Sequence, residues 1–405
     1  MTNENSEKTG NALYKISFDN NAPQGSVSVV SQINTSGPAF IFFPGNDLAY
    51  THPDQIETLG NFDIQNLANV VRHCLESTNV SQDIIQQTLF YAIAYYTPSS
   101  FNEEDARTLL LKKHGRTNLP ESTIRGHDGF SKEEENPSYI EHLYSQIIAP
   151  RISRLNGKVK LDTQKACQNV AQLVFFAHCH GAYTILKLEE LMKQKMQNIG
   201  YSHNEITQIQ KHITAITYAP ACPLGVSKMN IISFRTLGDD TLPAGNNLNV
   251  HLSNLMYEDR AYRDDINLKK KTTSENHPLT FKLSFYPGKL GNIFVIKEKY
   301  TYKPEKGYEG WNDHNKPFAE GDNEEAKIFQ QIMRRCIANA LLHAHKQQKK
   351  LLEPLSAKEL AVGEASQNKE IDNLIFKQAC SAGKKQYTSS VKQIKKLLKK
   401  EMDKQ

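Results

Sequence analysis

Residues 173–191, LVFFAHCHGAYTILKLEEL, contain the patterns that decide the fold. Residues 173–177 are continuously apolar, which is typical of a parallel strand that is buried on both faces. From Ala182 onward, apolar residues recur at the spacing of an amphipathic helix. Because only a few residues separate the two patterns, the sequence predicts a strand, a tight turn and a helix in immediate succession.

The turn between them reads Ala177-His178-Cys179-His180-Gly181. A strand and a helix joined so closely leave room only for small side chains two residues before and two residues after the centre. Ala177 and Gly181 meet that requirement. The central thiol lies beside histidines and at a helix start, where a cysteine loses its proton more readily. Cys179 is therefore the predicted nucleophile, and the alternative is a buried core thiol.

This arrangement resembles the nucleophile elbow of the α/β-hydrolase superfamily, usually written G-x-S-x-G. Two positions depart from that motif, because alanine replaces the first glycine and cysteine replaces the serine. The resemblance implies an α/β fold in which helices flank a mostly parallel sheet, with a lid-like insertion and a C-terminal helical extension. It also implies a Cys-His-Asp triad, in the chain order nucleophile, acid and histidine.

The oxyanion hole is expected after an earlier strand. Residues 39–43 are a second apolar run, and Pro44-Gly45-Asn46 follows it. In the family, the loop after an early strand supplies one backbone N–H to the oxyanion, and the resemblance gives this role to Gly45 or Asn46. The N–H of His180 would complete the pair. The alternative is a plain turn that ends the strand.

The acid is expected after a later strand. Residues 229–235 are a predicted strand, and TLGDDTLP follows at residues 236–243. This segment resembles the family's acid loop, in which a glycine, an aspartate and a Val/Leu-Pro pair follow a strand. Asp239 is the match and Asp240 is its alternative. The carboxylate would accept the N–H of the catalytic imidazole, whereas an Asx-type turn is the structural alternative.

The base must follow Asp239 in the chain if the family order holds. His314 lies in a loop between a β segment and the long final helix. The catalytic histidine of the family lies in such a loop, so His314 is the predicted base. His277 and His251 remain as alternatives.

The composition is that of an ordinary soluble globular protein. Of 405 residues, 23% are charged and 39% are hydrophobic, and no apolar run approaches the ~20 residues of a membrane span. The polar start lacks the features of a secretory signal, which predicts a cytoplasmic protein, either in its own cell or in a host. The Asn-, Gln- and Lys-rich composition also suits a bacterial effector that a specialised secretion system delivers.

The six cysteines show no metal-type spacing and no disulfide framework, so they are predicted to be reduced. Cys222 is a second candidate thiol, but its flanking prolines indicate a loop. A metal site at His178, Cys179 and His180 is disfavoured, because adjacent side chains of an extended segment point to different sides. The sequence implies no metal and no organic cofactor.

The chain divides into three predicted parts. Residues 1–30 are a flexible segment, with an edge strand at residues 12–16 as the alternative. Residues 31–352 are the hydrolase-like domain with insertions at about 101–137 and 251–291, and residues 279–303 are a predicted β-hairpin. Residues 353–405 are a lysine-rich helical tail. The net charge of +5 has its source in the lysine-dense stretch 383–405, without which the chain is nearly balanced, so it does not indicate a nucleic-acid partner. Apolar residues and lysines alternate in the tail at helical spacing, which predicts a basic amphipathic helix.

The predicted function is that of a thiol hydrolase or acyltransferase. It would act on an ester, thioester or amide, in a small molecule or an acylated substrate, through a covalent acyl-enzyme on Cys179. The alternative is a catalytically inactive hydrolase-fold interaction protein. An anionic membrane surface or an acidic partner would fit the basic tail, whereas a solvated terminal helix is the simplest interpretation.

Overall fold

The described part of the chain contains a mostly parallel sheet with helices on both faces. In the computed structural model the described residues are 12–19, 22–43, 81–94, 137–155, 157–178, 181–220, 227–236, 283–286, 292–296 and 324–402. The strands among them are β1 (Ala12–Asp19), β2 (Ala22–Val30), β3 (Ala39–Phe43), β4 (Leu89–Ala94), β5 (Ser153–Arg154), β6 (Val159–Lys160), β7 (Leu173–His178), β8 (Thr214–Tyr218), β9 (Asn230–Thr236), β10 (Leu283–Tyr286) and β11 (Ile293–Ile296).

Nine of these strands form one sheet in the order β2-β1-β4-β3-β7-β8-β9-β11-β10, and β5 and β6 form a separate short hairpin. The six central strands, from β4 to β11 in this order, run parallel to one another. At one end β1 is antiparallel to both β2 and β4, and at the other end β10 is antiparallel to β11. The predicted α/β class with a mostly parallel sheet is confirmed.

The helices lie on both faces of the sheet. They are α1 (Gln82–Gln87), α2 (Pro137–Leu143), a π-helical segment (Tyr144–Ile148), α3 (Ala149–Ile152), α4 (Thr163–Val170), α5 (Gly181–Asn198), α6 (His203–Lys211), α7 (Glu324–Gln347), α8 (Ala357–Ala361) and α9 (Lys369–Met402). The face covered by α5 also carries α2, the π-helical segment, α3, α4 and α6. The face covered by α7 also carries α1, α8 and α9.

The central strand β7 is buried at every position. Val174 and Phe176 lie in the core on the α7 face, whereas Phe175 and Ala177 lie in the core on the α5 face, as the two-residue repeat of a strand requires. Because helices cover both faces, neither set of side chains reaches water. This burial explains why the sequence of the strand is continuously apolar instead of alternating.

Helices α5 and α7 both start at the carboxyl edge of the sheet. Helix α5 begins three residues after the end of β7. In α7, the ring of Phe329 lies 5.4 Å from the ring of Phe234 near the end of β9, whereas His345 Nε2 lies 2.8 Å from the hydroxyl of Thr88, just before β4. Both helices therefore run antiparallel to the central strands, as crossover helices of an α/β sheet do.

Residues 12–30 contain two strands of the sheet. These are residues 12–19 and 22–30, and Leu13 and Ile16 of β1 are 0% and 4% exposed. Strand β1 includes residues 12–16, the predicted alternative to a flexible segment, although β2 and not β1 is the edge strand. Strand β1 also pairs with β4, whose residues lie more than 70 positions later in the chain, and no local pattern shows so distant a partner.

Two elements near the predicted boundaries belong to the main body of the fold. Strands β10 and β11 form the predicted hairpin, and β10, which lies within the predicted insertion at 251–291, is a strand of the main sheet. The first half of α9 belongs to the core instead of a separate tail, since Ala379 is fully buried and Phe376 packs 5.1 Å from Phe285 of β10. The edge strand and the helix cover each other's apolar side chains, which neither pattern shows alone.

Among the described residues, no helix is long and apolar enough to cross a membrane.

Candidate functional site

The candidate site lies at the carboxyl edge of the sheet, around the end of β7. This strand ends at His178, and α5 begins at Gly181. Cys179 and His180 are the two residues between them. The predicted succession of strand, short connection and helix is therefore present on both sides of Cys179, which itself lies outside the described residues.

The strand order places this edge at a topological switch point. From β3 the chain passes to β4 on one side, and it later returns to β7 on the other side of β3 before continuing to β8 and β9. In open α/β sheets, ligands bind outside the carboxyl ends of the strands at such a reversal. The crevice at the ends of β3 and β7 is therefore the default binding position.

Strand β3 brings the predicted oxyanion loop to the same edge. Phe43, its last residue, pairs in register with Ala177 of β7. Gly45 and Asn46 follow Phe43 by two and three residues, and they lie outside the described residues. The loop predicted to donate an N–H to the oxyanion thus starts beside the strand that leads to Cys179.

The elements next to the predicted acid and base also end or begin at this edge. Strand β9 ends at Thr236, three residues before Asp239. Helix α7 begins at Glu324, ten residues after His314. An extended segment of ten residues can span roughly 33 Å, so the chain length allows His314 to reach the end of β7.

The structure therefore brings together the strand and helix ends that flank the predicted site residues, and not the residues themselves. The six predicted residues all lie outside the described residues: Cys179, His314, Asp239, Gly45, Asn46 and His180. The alternatives Asp240, His277, His251 and Cys222 lie outside them as well. The Cys-His-Asp triad and the oxyanion hole remain predictions.

Several described residues at this edge had no predicted catalytic role. The ring of His178 is buried and lies 6.0 Å from the ring of Tyr218. Ala219 has a positive φ of 46°, a conformation that non-glycine residues rarely adopt and that is found more often at functional sites. Its N–H donates to the carbonyl of Phe234 at 2.8 Å. Only the pairing of β8 with β9 reveals this strained corner next to the end of β7.

Polar groups also lie near this edge. Thr217 of β8 donates its hydroxyl to the hydroxyl of Ser233 of β9 at 2.8 Å, and both residues are buried. Arg235 follows on β9 and is partly exposed. In the first turn of α5, the buried hydroxyl of Thr184 has no hydrogen-bond partner among the residues that the structure describes. A sequence pattern gives no signal for these residues, because only the parallel register aligns them with the end of β7.

The structure describes the surroundings of three of the six cysteines. Burial raises the pKa of the Cys167 thiol to about 12, and burial also raises the pKa of the Cys336 and Cys380 thiols. Since the thiolate is the nucleophilic form, these three side chains are poor nucleophiles at neutral pH. The other three cysteines, Cys179, Cys222 and Cys74, lie outside the described residues.

A cleft of about 1050 Å³ lies elsewhere on the protein. The π-helical segment and the last turn of α5 line it, and Lys195 and Glu141 form an ion pair of 2.8 Å on its wall. Helix α5 has 18 residues, so its two ends are roughly 27 Å apart. The cleft is therefore at the opposite end of α5 from Cys179 and does not belong to the candidate site.

Among the described residues, no group of three or more histidines, cysteines and acidic residues is placed to hold a metal ion.

No protein-family model matches the chain, and no curated protein matches it in sequence.

Proposed function

We propose that this protein is an α/β-hydrolase-like thiol enzyme that hydrolyses or transfers an acyl group from an ester, a thioester or an amide. Cys179 is its nucleophile, His314 its general base and acid, and Asp239 the carboxylate that orients the imidazole. The backbone N–H groups of Gly45 or Asn46 and of His180 stabilise the oxyanion.

One observation carries this proposal. Strand β7, the middle strand of the nine-stranded sheet, is buried at every position and ends immediately before Cys179 at the topological switch point, and a long helix starts two residues later. A nucleophile held at such a connection is exposed above the sheet, and the helix N-terminus stabilises a thiolate there. The approach of β3, β9 and α7 to the same edge supports the assignment of the other residues.

The reaction follows from these roles. His314 removes the thiol proton as the Cys179 sulfur attacks the acyl carbon, and the new C–S bond converts the carbonyl into an oxyanion. The oxyanion collapses, the bond to the leaving group breaks, and His314 returns the proton to the leaving group. Water, deprotonated by His314, then attacks the thioester, releases the acid and regenerates the thiol. If another nucleophile replaces the water, the result is acyl transfer.

Acyl-enzyme trapping tests this proposal. The purified full chain is mixed with p-nitrophenyl esters and alkyl thioesters of increasing acyl length, quenched in acid, and examined by intact mass and peptide mapping. We expect one acyl group per chain, on Cys179, and the release of a stoichiometric burst of p-nitrophenol.

Matched cysteine variants make the test specific. Cys179→Ala should lose the burst and the adduct, whereas Cys222→Ala and Cys74→Ala should retain both. An adduct that persists in Cys179→Ala would overturn the proposal. Failure of every ester and thioester to acylate the folded protein would favour the alternative, an inactive hydrolase-fold interaction protein.

A further inference from the structure

Helix α9 offers a second functional surface, which is independent of the proposed chemistry. The helix has 34 residues and is roughly 51 Å long. Its first half is fixed to the body, because Asp372 forms a buried ion pair of 2.9 Å with Arg335 and Phe376 packs on Phe285. At Gly383 the contact is so close that a Cβ atom would lie 2.0 Å from the backbone oxygen of Phe285. These contacts define which face of α9 packs against the rest of the protein.

The opposite face of this first half is open to solvent. Ile371 and Leu374 are 54% and 56% exposed, and Lys377 and Lys385 are also exposed. Ile371 and Leu374 lie nearly one helical turn apart, so their exposed aliphatic side chains share one helix face with the lysines.

The helical repeat extends this exposed face into the lysine-rich second half. Lys392, Lys396 and Lys399 follow Lys385 by 7, 11 and 14 residues, and these separations return to the same side of an α-helix. Since α9 continues to Met402, the helical repeat assigns these positions to the same side of the helix as Lys385. We name this face, from Ile371 to Lys399, the basic stripe; it is roughly 42 Å long.

The positive charge of the protein is concentrated here. The chain has 49 basic and 44 acidic residues, and residues 384–405 contribute eight lysines and only two acidic residues, Glu401 and Asp403. The remaining 383 residues carry 41 basic and 42 acidic residues. Without this segment the chain is electrically balanced. A negatively charged surface therefore attracts the protein mainly through α9.

We propose that the basic stripe of α9 docks this protein on an anionic membrane surface. Each lysine near a membrane of anionic lipid contributes a favourable electrostatic attraction. The exposed Ile371 and Leu374 add apolar contact with the headgroup region. Residues 369–405 contain no arginine, whereas arginine is the preferred residue for paired recognition of individual phosphates and bases. An all-lysine stripe fits a diffuse negative surface better than a nucleic acid.

Vesicle co-sedimentation tests the proposal with the full chain. The probes are vesicles of phosphatidylcholine alone and of phosphatidylcholine with 30% phosphatidylserine. We expect binding only to the anionic vesicles and its loss in 0.5 M NaCl, because salt screens exposed charges. The quadruple variant Lys392→Gln, Lys395→Gln, Lys396→Gln and Lys399→Gln should lower the partition coefficient about a hundredfold or more.

A variant with the same change in charge provides the control. Lys193, Lys211, Lys349 and Lys350 are exposed and lie outside α9, so their joint replacement by glutamine should leave most of the binding intact. Circular dichroism of both variants shows whether α9 still folds. The proposal is overturned if both quadruple variants bind equally, if neutral vesicles bind as well, or if a DNA duplex of similar charge competes the protein off the vesicles.

Discussion

The two edges of the central sheet differ in what their polar groups do. At the amino edge, Arg151 is fully buried and donates hydrogen bonds to the carbonyls of Gly37 at 2.8 Å, Asn34 at 3.1 Å and Asn169 at 3.2 Å. These hydrogen bonds link the backbone just before β3 to the end of α4. At the carboxyl edge, the strands end in segments that carry the proposed catalytic groups, beside the strained residue Ala219.

This difference indicates that the same strands serve stability at one end and the proposed chemistry at the other. Buried polar groups that are satisfied by the backbone rigidify a fold, whereas strained and polar positions at strand ends are typical of binding sites. Substitutions at the two edges should therefore have separable effects. Those at the carboxyl edge should change activity, and those at the amino edge should change the free energy of unfolding.

The largest separation is expected for Cys179→Ala. Loss of the nucleophile should lower the rate of ester or thioester turnover by about 10³-fold or more. The melting temperature should change little, because the change removes only one sulfur atom. Initial rates and thermal unfolding are measured on the same preparation. A variant that keeps more than a tenth of the activity would contradict the division between the edges.

At the amino edge, Arg151→Met should unfold the protein more easily without altering the acylation of Cys179. Burial lowers the pKa of the Arg151 guanidinium to about 10, so the side chain is still charged at neutral pH. Removing it leaves three carbonyls without their donors, and a loss of about 3 kcal/mol or more is expected. Urea unfolding measures this loss.

Arg154→Met is the matched control for Arg151→Met, because Arg154 is exposed and lies on the same segment. Its free energy of unfolding should remain within about 0.5 kcal/mol of the wild type. An equal loss in the two variants would show that the buried guanidinium does not determine the stability of this edge.

A buried carboxylate also fixes the entry to β9. Glu189 of α5 accepts hydrogen bonds from the Ser227 hydroxyl at 2.5 Å and from the Lys228 N–H at 2.6 Å. Burial raises the pKa of this carboxyl, although these hydrogen bonds oppose the shift. Because the native state then binds a proton more readily than the unfolded state, the contribution of Glu189 to stability rises as the pH falls toward about 4.3.

Glu189→Gln should remove this pH dependence. The free energy of unfolding of the wild type, relative to the variant, should increase as the pH falls from 7 to 5, as measured by urea unfolding at each pH. The neighbouring Glu190→Gln, at a largely exposed position, should show no such trend. A difference that does not change with pH would indicate that the carboxyl of Glu189 titrates alike in the native and unfolded states.

The sequence predicts the central strands closely, for a physical reason. Strand β3 is located to the residue and β7 within one residue of its end, since a strand buried on both faces is apolar throughout. The predicted hairpin contains β10 and β11, but the pairing of β1 with β4 and of β11 with β9 joins segments that are far apart in the chain. The packing of Phe376 on Phe285 likewise exists only after β10 has joined the sheet.

The candidate site shows the same limit. The local sequence around Cys179 predicts a strand, a turn and a helix, and both flanking elements are present. That β3 lies beside β7, and that the chain reverses direction between them, depends on long-range pairing. No local pattern encodes the strand order, so the topological switch point can be recognised only from the structure. The strained corner at Ala219 depends on the pairing of β8 with β9 for the same reason.

The smallest expected effect concerns the helices that lead into the amino edge. Glu205 of α6 accepts a hydrogen bond from the Thr163 hydroxyl of α4 at 2.6 Å and another from the N–H of Ser202 at 2.7 Å. The hydrogen bond from Thr163, together with those from Ser202, lowers the pKa of this carboxyl to about 2.

A lowered pKa means that Glu205 stabilises the native state above its unfolded pKa of about 4.3 and loses this contribution as the pH falls toward about 2. Glu205→Gln should therefore be slightly less stable than the wild type at pH 6, and the difference should close in acid. Thermal melts between pH 6 and pH 2 measure it, with Glu370→Gln on α9 as the control of equal charge. If the difference in melting temperature between the wild type and Glu205→Gln persists at pH 2, Glu205 acts through its shape at the start of α6 and not through its charge.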